Sequence, residues 1–147
     1  MTDYITFTTA GQLFGLPIEH VQDVFTLANI TRVPLASREV AGVLNLRGRI
    51  VTVIDLANRL QLDVPKDATA NMVIGIERGA ESFGILVGRV GEVLSLADDD
   101  REPAPINLDR TLSATATGVF RLDEKILVAL DADRMLDFGS SRSSLAQ

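Results

Sequence analysis

The 147-residue chain has no cysteine, no tryptophan and a single histidine. Without cysteine there is no disulfide framework, thiolate metal site or cysteine nucleophile, so a stapled secreted fold and a zinc ribbon are both excluded. A reducing compartment fits best. Positive charge is also scarce, with 14 Lys+Arg against 20 Asp+Glu and a formal charge of −6. Contacts to a phosphate backbone need a basic patch, so nucleic acid is not an expected partner. No segment approaches the roughly 18 uninterrupted apolar residues of a membrane span. Met1-Thr2-Asp3-Tyr4 lacks the basic region and apolar run of a signal peptide. The expectation is a soluble, cytoplasmic protein with no direct membrane insertion. Its length suits one compact domain that buries about two-thirds of its unfolded surface.

Catalytic chemistry is equally thin. His20 sits beside Glu19 with no legible orienting partner or pocket, so it reads as a surface or boundary side chain rather than a general base. The chain contains no Gly-x-Ser-x-Gly elbow, P-loop or Gly-x-Gly-x-x-Gly fingerprint. Asp98-Asp99-Asp100 invites a calcium reading, but an EF-hand needs Gly at its sixth position and Glu at its twelfth, where Pro103 and Asp109 stand. It is expected to be a solvated acidic loop. Asp55 and Asp131 each follow a strand-like run and precede a short helical pattern, which is where Asp caps exposed backbone N–H groups. Neither an enzyme nor a bound metal or cofactor is expected.

What is present is mostly strand pattern. Tyr4 to Thr8 and Leu13 to Leu16 flank Ala10-Gly11 as a hairpin. Residues 17–25 suit either a short helix opened by Pro17 or a bulged strand. Val40 to Leu46 and Ile50 to Ile54 flank Arg47-Gly48-Arg49 as a second hairpin, with Gly48 free to take a positive φ. Met72 to Ile76 leads through Arg78-Gly79-Ala80 into a long apolar run to Leu96, where Gly84, Gly88 and Gly91 suggest bends or bulges. After the acidic, proline-containing loop, strands are expected at about 116–122 and 125–130, followed by one or two helical turns from Asp131 to Leu136.

Internal repetition is the most informative feature. Gly42–Leu60 (GVLNLRGRIVTVIDLANRL) and Gly118–Leu136 (GVFRLDEKILVALDADRML) share six identities in nineteen positions without a gap. Upstream, Phe14-Gly15 aligns with Phe83-Gly84, Val21 with Val90 and Val24 with Val93, at an offset of 69 rather than 76. The seven extra residues fall in the acidic loop. One supersecondary unit is therefore used twice. A unit of about five short strands has the size of a small closed barrel, and two such units with marginal cores are expected to pack together. The repeat breaks at Arg47-Gly48, which faces Asp123-Glu124 in the second copy. Arginine is enriched at interface hot spots, and the broken symmetry gives the first turn a task of its own.

The run from Gly42 to Leu56, with its Asn-Leu-Arg-Gly-x-Ile-Val core, resembles the CheW family, the coupling proteins of bacterial chemotaxis. The likeness extends to Val21-Gln22-Asp23-Val24, to Val90–Leu96 before Pro103-Ala104-Pro105, and to the Gly118–Asp131 strands. It implies a mainly β fold of two SH3-like five-stranded barrel subdomains packed together, with short helices. Residues 3–137 would form a single domain of intertwined subdomains with core repeats at about 7–60 and 76–136, and 138–147 a disordered tail.

The resemblance also implies a non-enzymatic adaptor. It would link the cytoplasmic tip of methyl-accepting chemoreceptors to the regulatory domain of the histidine kinase CheA, at membrane-associated receptor arrays. Receptor helices would lie between the barrels near Val21, Gly42, Arg47 and Val93, and kinase contacts would fall around Ile50, Glu102 and Asn107. Two positions depart from common family patterns. Thr52 stands where many members carry proline, and Glu102 and Asn107 stand where some carry a basic and an aromatic residue. An adaptor of a non-flagellar chemosensory pathway, for pili or development, is the first alternative, and a small β-barrel ligand-binding protein the second.

Overall fold

The computed structural model describes residues 1–34, 36–64, 70–105 and 110–137. The expected tail at 138–147 and Asn107 lie outside the described residues. Ten strands run in chain order: β1 Thr2–Thr9, β2 Gln12–Pro17, β3 Val21–Thr26, β4 Val40–Leu46, β5 Arg49–Asp55, β6 Met72–Arg78, β7 Glu81–Val87, β8 Arg89–Leu96, β9 Ala116–Leu122 and β10 Lys125–Leu130. Three short helices accompany them: α1 Leu56–Leu60, α2 Arg110–Thr115 and α3 Ala132–Leu136. The ambiguous segment at 17–25 resolves into both of its candidates, a 3-10 turn at Ile18–His20 and then β3, whose pairing with β6 is bulged between Val21 and Asp23.

The strands form two five-stranded sheets, ordered β8-β1-β2-β10-β9 and β3-β6-β7-β5-β4. Replacing each strand by its repeat equivalent converts one order into the other, so the sequence repeat is a structural pseudo-twofold. A single repeat is not itself a barrel, however. Each copy gives its first hairpin to one sheet and its last three strands to the other. The chain crosses between sheets at the Ile18–His20 turn in the first copy and at Gly88 in the second. Gly88 therefore ends β7 rather than bending one long strand. The residues added in the second copy lie between β8 and β9, where they include a 3-10 turn at Asp98–Asp100 and α2.

Packing explains why the strands read as nearly continuous apolar runs. Side chains of one parity fill a barrel, and those of the other parity fill a shared interface. Val51, Val53 and Val73 pack inside the second barrel, and Tyr4, Phe120, Leu127 and Ala129 inside the first. Ile54, Ile74, Val128 and Leu130, their neighbours of opposite parity, join Phe7, Phe14 and Leu16 in one continuous core between the barrels. With both faces covered, few strand positions remain for polar residues.

Each sheet is drawn toward closure by a single bridge between the chain beyond one edge strand and the opposite edge. Thr31 exchanges two backbone hydrogen bonds of 2.8 Å with Val43 on β4, and Glu102 makes the same pair with Val119 on β9. The neighbouring glycines permit the approach. A Cβ on Gly42 would lie 2.5 Å from the Thr31 carbonyl oxygen, and one on Gly118 would lie 2.6 Å from that of Glu102.

Asp55 and Asp131 are helix caps. The Asp55 carboxylate accepts from the Asn58 N–H at 3.2 Å, and that of Asp131 accepts from the Arg134 N–H at 3.1 Å. Replacing either by alanine should cost about 1 kcal/mol, the usual worth of an N-cap, measured as a urea-midpoint shift with unchanged slope.

Candidate functional site

The Arg47-Gly48 turn is the most distinctive surface feature. It joins β4 and β5 through two residues that are both left-handed, with φ of 54° at Arg47 and 82° at Gly48. This is the primed geometry that matches the twist of a hairpin. Glycine adopts it freely, and Asn45 Oδ1 holds the Gly48 N–H at 2.9 Å. Arginine does not, at a cost of about 1–2 kcal/mol. No residue of the equivalent Asp123-Glu124 turn is left-handed. Local strain that the fold sustains in one copy and not in the other marks this turn as functional.

Around the turn lies a cavity of about 300 Å³ at the mouth of the second barrel. Its apolar lining comes from Phe25, Leu46, Val51, Ile76 and Phe83, on β3 to β7. Charged groups stand at the rim. The Arg49 guanidinium lies 3.0 Å from Glu77 Oε2, and Gln22 Nε2 donates to the same oxygen at 2.7 Å. These bonds, from Arg49 first and Gln22 second, hold the Glu77 carboxyl below its ordinary pKa. A depressed carboxylate pKa means the clasp contributes fully at neutral pH and is lost as pH falls through that group's folded-state value. Arg47 is 81% exposed and lies 3.9 Å from Asp23, beyond hydrogen-bonding range.

The sequence-predicted receptor residues divide between the sheets. Arg47 lines the cavity, and Val21 lies beside its rim on β3, paired with the cavity residue Ile76. Gly42 is buried farther along β4, at the closure bridge beneath Ile30 and Thr31. Val93 lies on β8 of the other sheet, paired with Ile5 and half-exposed. The cavity at Arg47 is thus lined by one barrel rather than by the cleft between the two.

Among the kinase candidates, Ile50 is 63% exposed, two residues beyond the turn glycine, and its repeat equivalent Ile126 is also exposed. Glu102 makes the closure bridge to β9, and its carboxylate pairs with Arg121 Nε at 2.9 Å. Sequence reasoning missed the rim formed by Gln22, Arg49 and Glu77. Its members are up to 55 residues apart and match no motif.

His20 is exposed, 3.9 Å from Glu19. Among the described residues, no three His, Cys, Asp or Glu side chains are grouped to hold a metal ion, and no helix is long and apolar enough to cross a membrane.

Comparison with known proteins places this architecture. A family model described as "CheW-like domain" matches residues 3–139. The chain is similar to a chemotaxis protein CheW of Klebsiella aerogenes, with 32% identity over 135 residues covering 91% of this chain and 81% of that protein. It is also similar to that of Bacillus subtilis, with 26% identity covering 96% and 90%. The crystal structure of the scaffolding protein TtCheW from Thermoanaerobacter tengcongensis superposes with a TM-score of 0.83 at 27% identity, covering 94% of this chain and 89% of that one.

Proposed function

The chain belongs to the CheW family, and from that premise we propose that it is a non-enzymatic adaptor coupling methyl-accepting chemoreceptors to the histidine kinase CheA. The role places it in the cytoplasm, at membrane-associated receptor arrays. Holding two partners at once turns their encounter into an intramolecular event, so the adaptor acts by effective concentration and needs no catalytic group. The observation that carries this reading is the strained Arg47 turn, beside an apolar cavity and two residues from the exposed Ile50. A cation at the edge of an apolar recess suits an amphipathic helix, in which apolar burial supplies affinity and the charge fixes register.

Reconstitution tests the proposal. Receptor-dependent CheA autophosphorylation should require the added chain, and an unchanged rate with or without it would refute the reading. Arg47→Gly makes the test specific. It should leave stability unchanged or raise it by about 1 kcal/mol, because the left-handed strain is relieved. Receptor affinity should nevertheless fall about tenfold, as expected on loss of an interface arginine. Unfolding of this variant would make Arg47 a structural residue.

A further inference from the structure

The two arginines at the cavity mouth are not equivalent. Arg49 is fully engaged, 3.0 Å from a Glu77 carboxylate that also accepts from Gln22. Arg47, held in its left-handed turn, has Asp23 only at 3.9 Å and projects into solvent. Glu77 therefore decides which cation is available. The cavity beneath, at about 300 Å³, is at the small end of ligand pockets and has an apolar floor of Phe25, Val51, Ile76 and Phe83. That is room for one or two side chains and too little for a large cofactor.

We infer that this mouth is a socket for one aliphatic or aromatic side chain of a receptor helix, with a carboxylate three or four residues away on the same helix face received by Arg47. In this arrangement Glu77 is the specificity-setting residue, because it keeps Arg49 occupied. The inference rests on the adaptor reading above and adds the chemistry of the contact. Residues three and four apart share a helix face, so one turn of helix presents both groups together. The arginine fork suits a carboxylate, and the chain's overall charge of −6 makes this local cation an exception that an acidic residue can find. Asp23 stands as the weak intramolecular competitor that the incoming carboxylate displaces.

The test is a titration of a receptor-tip fragment, with the CheA regulatory domain in parallel, at low and high salt, using variants that retain the wild-type urea midpoint. Arg47→Gln is expected to weaken receptor binding about tenfold and flatten its salt dependence. Glu77→Gln frees Arg49 for the same carboxylate, so receptor binding should tighten a few-fold and depend more steeply on salt. Arg49→Gln leaves Glu77 unneutralised at the rim, so binding should weaken a few-fold. Opposite signs for the two halves of one ion pair are the signature of an electrostatic role, because a merely structural clasp would shift binding in the same direction from either side. Equal directions for Glu77→Gln and Arg49→Gln, an unchanged salt dependence in Arg47→Gln, or effects confined to the kinase domain would each overturn the inference. Failure of the wild-type chain to bind either partner would overturn the adaptor reading itself and this inference with it.

Discussion

Gly42→Ala should destabilise the protein by about 2–4 kcal/mol, and Gly118→Ala should do nearly the same. Each new methyl group would meet a backbone carbonyl oxygen, that of Thr31 at 2.5 Å or that of Glu102 at 2.6 Å. Those carbonyls cannot retreat cheaply. Each accepts a 2.8 Å hydrogen bond from the strand opposite, and withdrawing either one opens the bridge between the two edges of its sheet. Gly11→Ala is the control. It lies in a turn with φ of 78° and no atom within 4 Å of a new Cβ, so only the local left-handed cost of about 1 kcal/mol applies. Urea midpoints rank the three variants. Equal losses for Gly42 and Gly11 would show that the closure bridge contributes little. The ranking also bears on function, because weaker partner binding by a Gly42 variant has to be read against a barrel edge that has opened.

The second large effect is expected at Arg59. Its side chain leaves α1 of one barrel and donates to the last turn of α3 on the other, from Nε to the Met135 carbonyl at 2.6 Å and from a terminal nitrogen to that of Arg134 at 2.9 Å. Burial lowers the guanidinium pKa, while Glu39 and Asp137 oppose the change. Charge-assisted bonds to carbonyls at a helix C-terminus combine hydrogen bonding with a favourable dipole. Arg59→Met keeps the apolar stem and should cost about 2–3 kcal/mol. Arg59→Lys supplies a point charge without the fork and should recover part of that loss. A loss below about 0.5 kcal/mol for Arg59→Met would show that the apolar core alone holds the barrels together.

Both effects sit on the internal repeat, and they show what kind of information a sequence repeat carries. The hairpins, the boundaries of β9 and β10, the Asp55 and Asp131 caps and the equivalence of Gly42 with Gly118 were all legible, because each depends on neighbours close in the chain. The division of each copy between two sheets was not. Two copies of one strand pattern look the same whether a strand pairs within its own copy or with the other, and the crossing at Gly88 resembles a bend inside a longer strand. The helix α2 also escaped notice. Its six residues are too few for a helical period, and its buried Thr115 satisfies its hydroxyl on the carbonyls of Thr111 and Leu112.

The candidate site shows the same division. Arg47 stood out because the repeat broke there, and its left-handed φ gives that break a physical meaning. Arg49, Glu77 and Gln22 did not stand out, since charged residues at strand ends are ordinary until the fold sets them side by side. Arg59 aligns with Met135, whose side chain is fully buried, so the strap between barrels exists in one copy only. The pseudo-twofold thus accounts for the scaffold, and departures from it mark the places where the two halves do different work.

The central claim, that one small chain holds receptor and kinase together, is tested most directly by light scattering on a size-exclusion column loaded with the chain, a receptor-tip fragment and the CheA regulatory domain. A single peak whose mass contains all three, and which resolves into separate species when the chain is omitted, is the predicted result. Two exclusive binary complexes, or three components eluting independently, would contradict it.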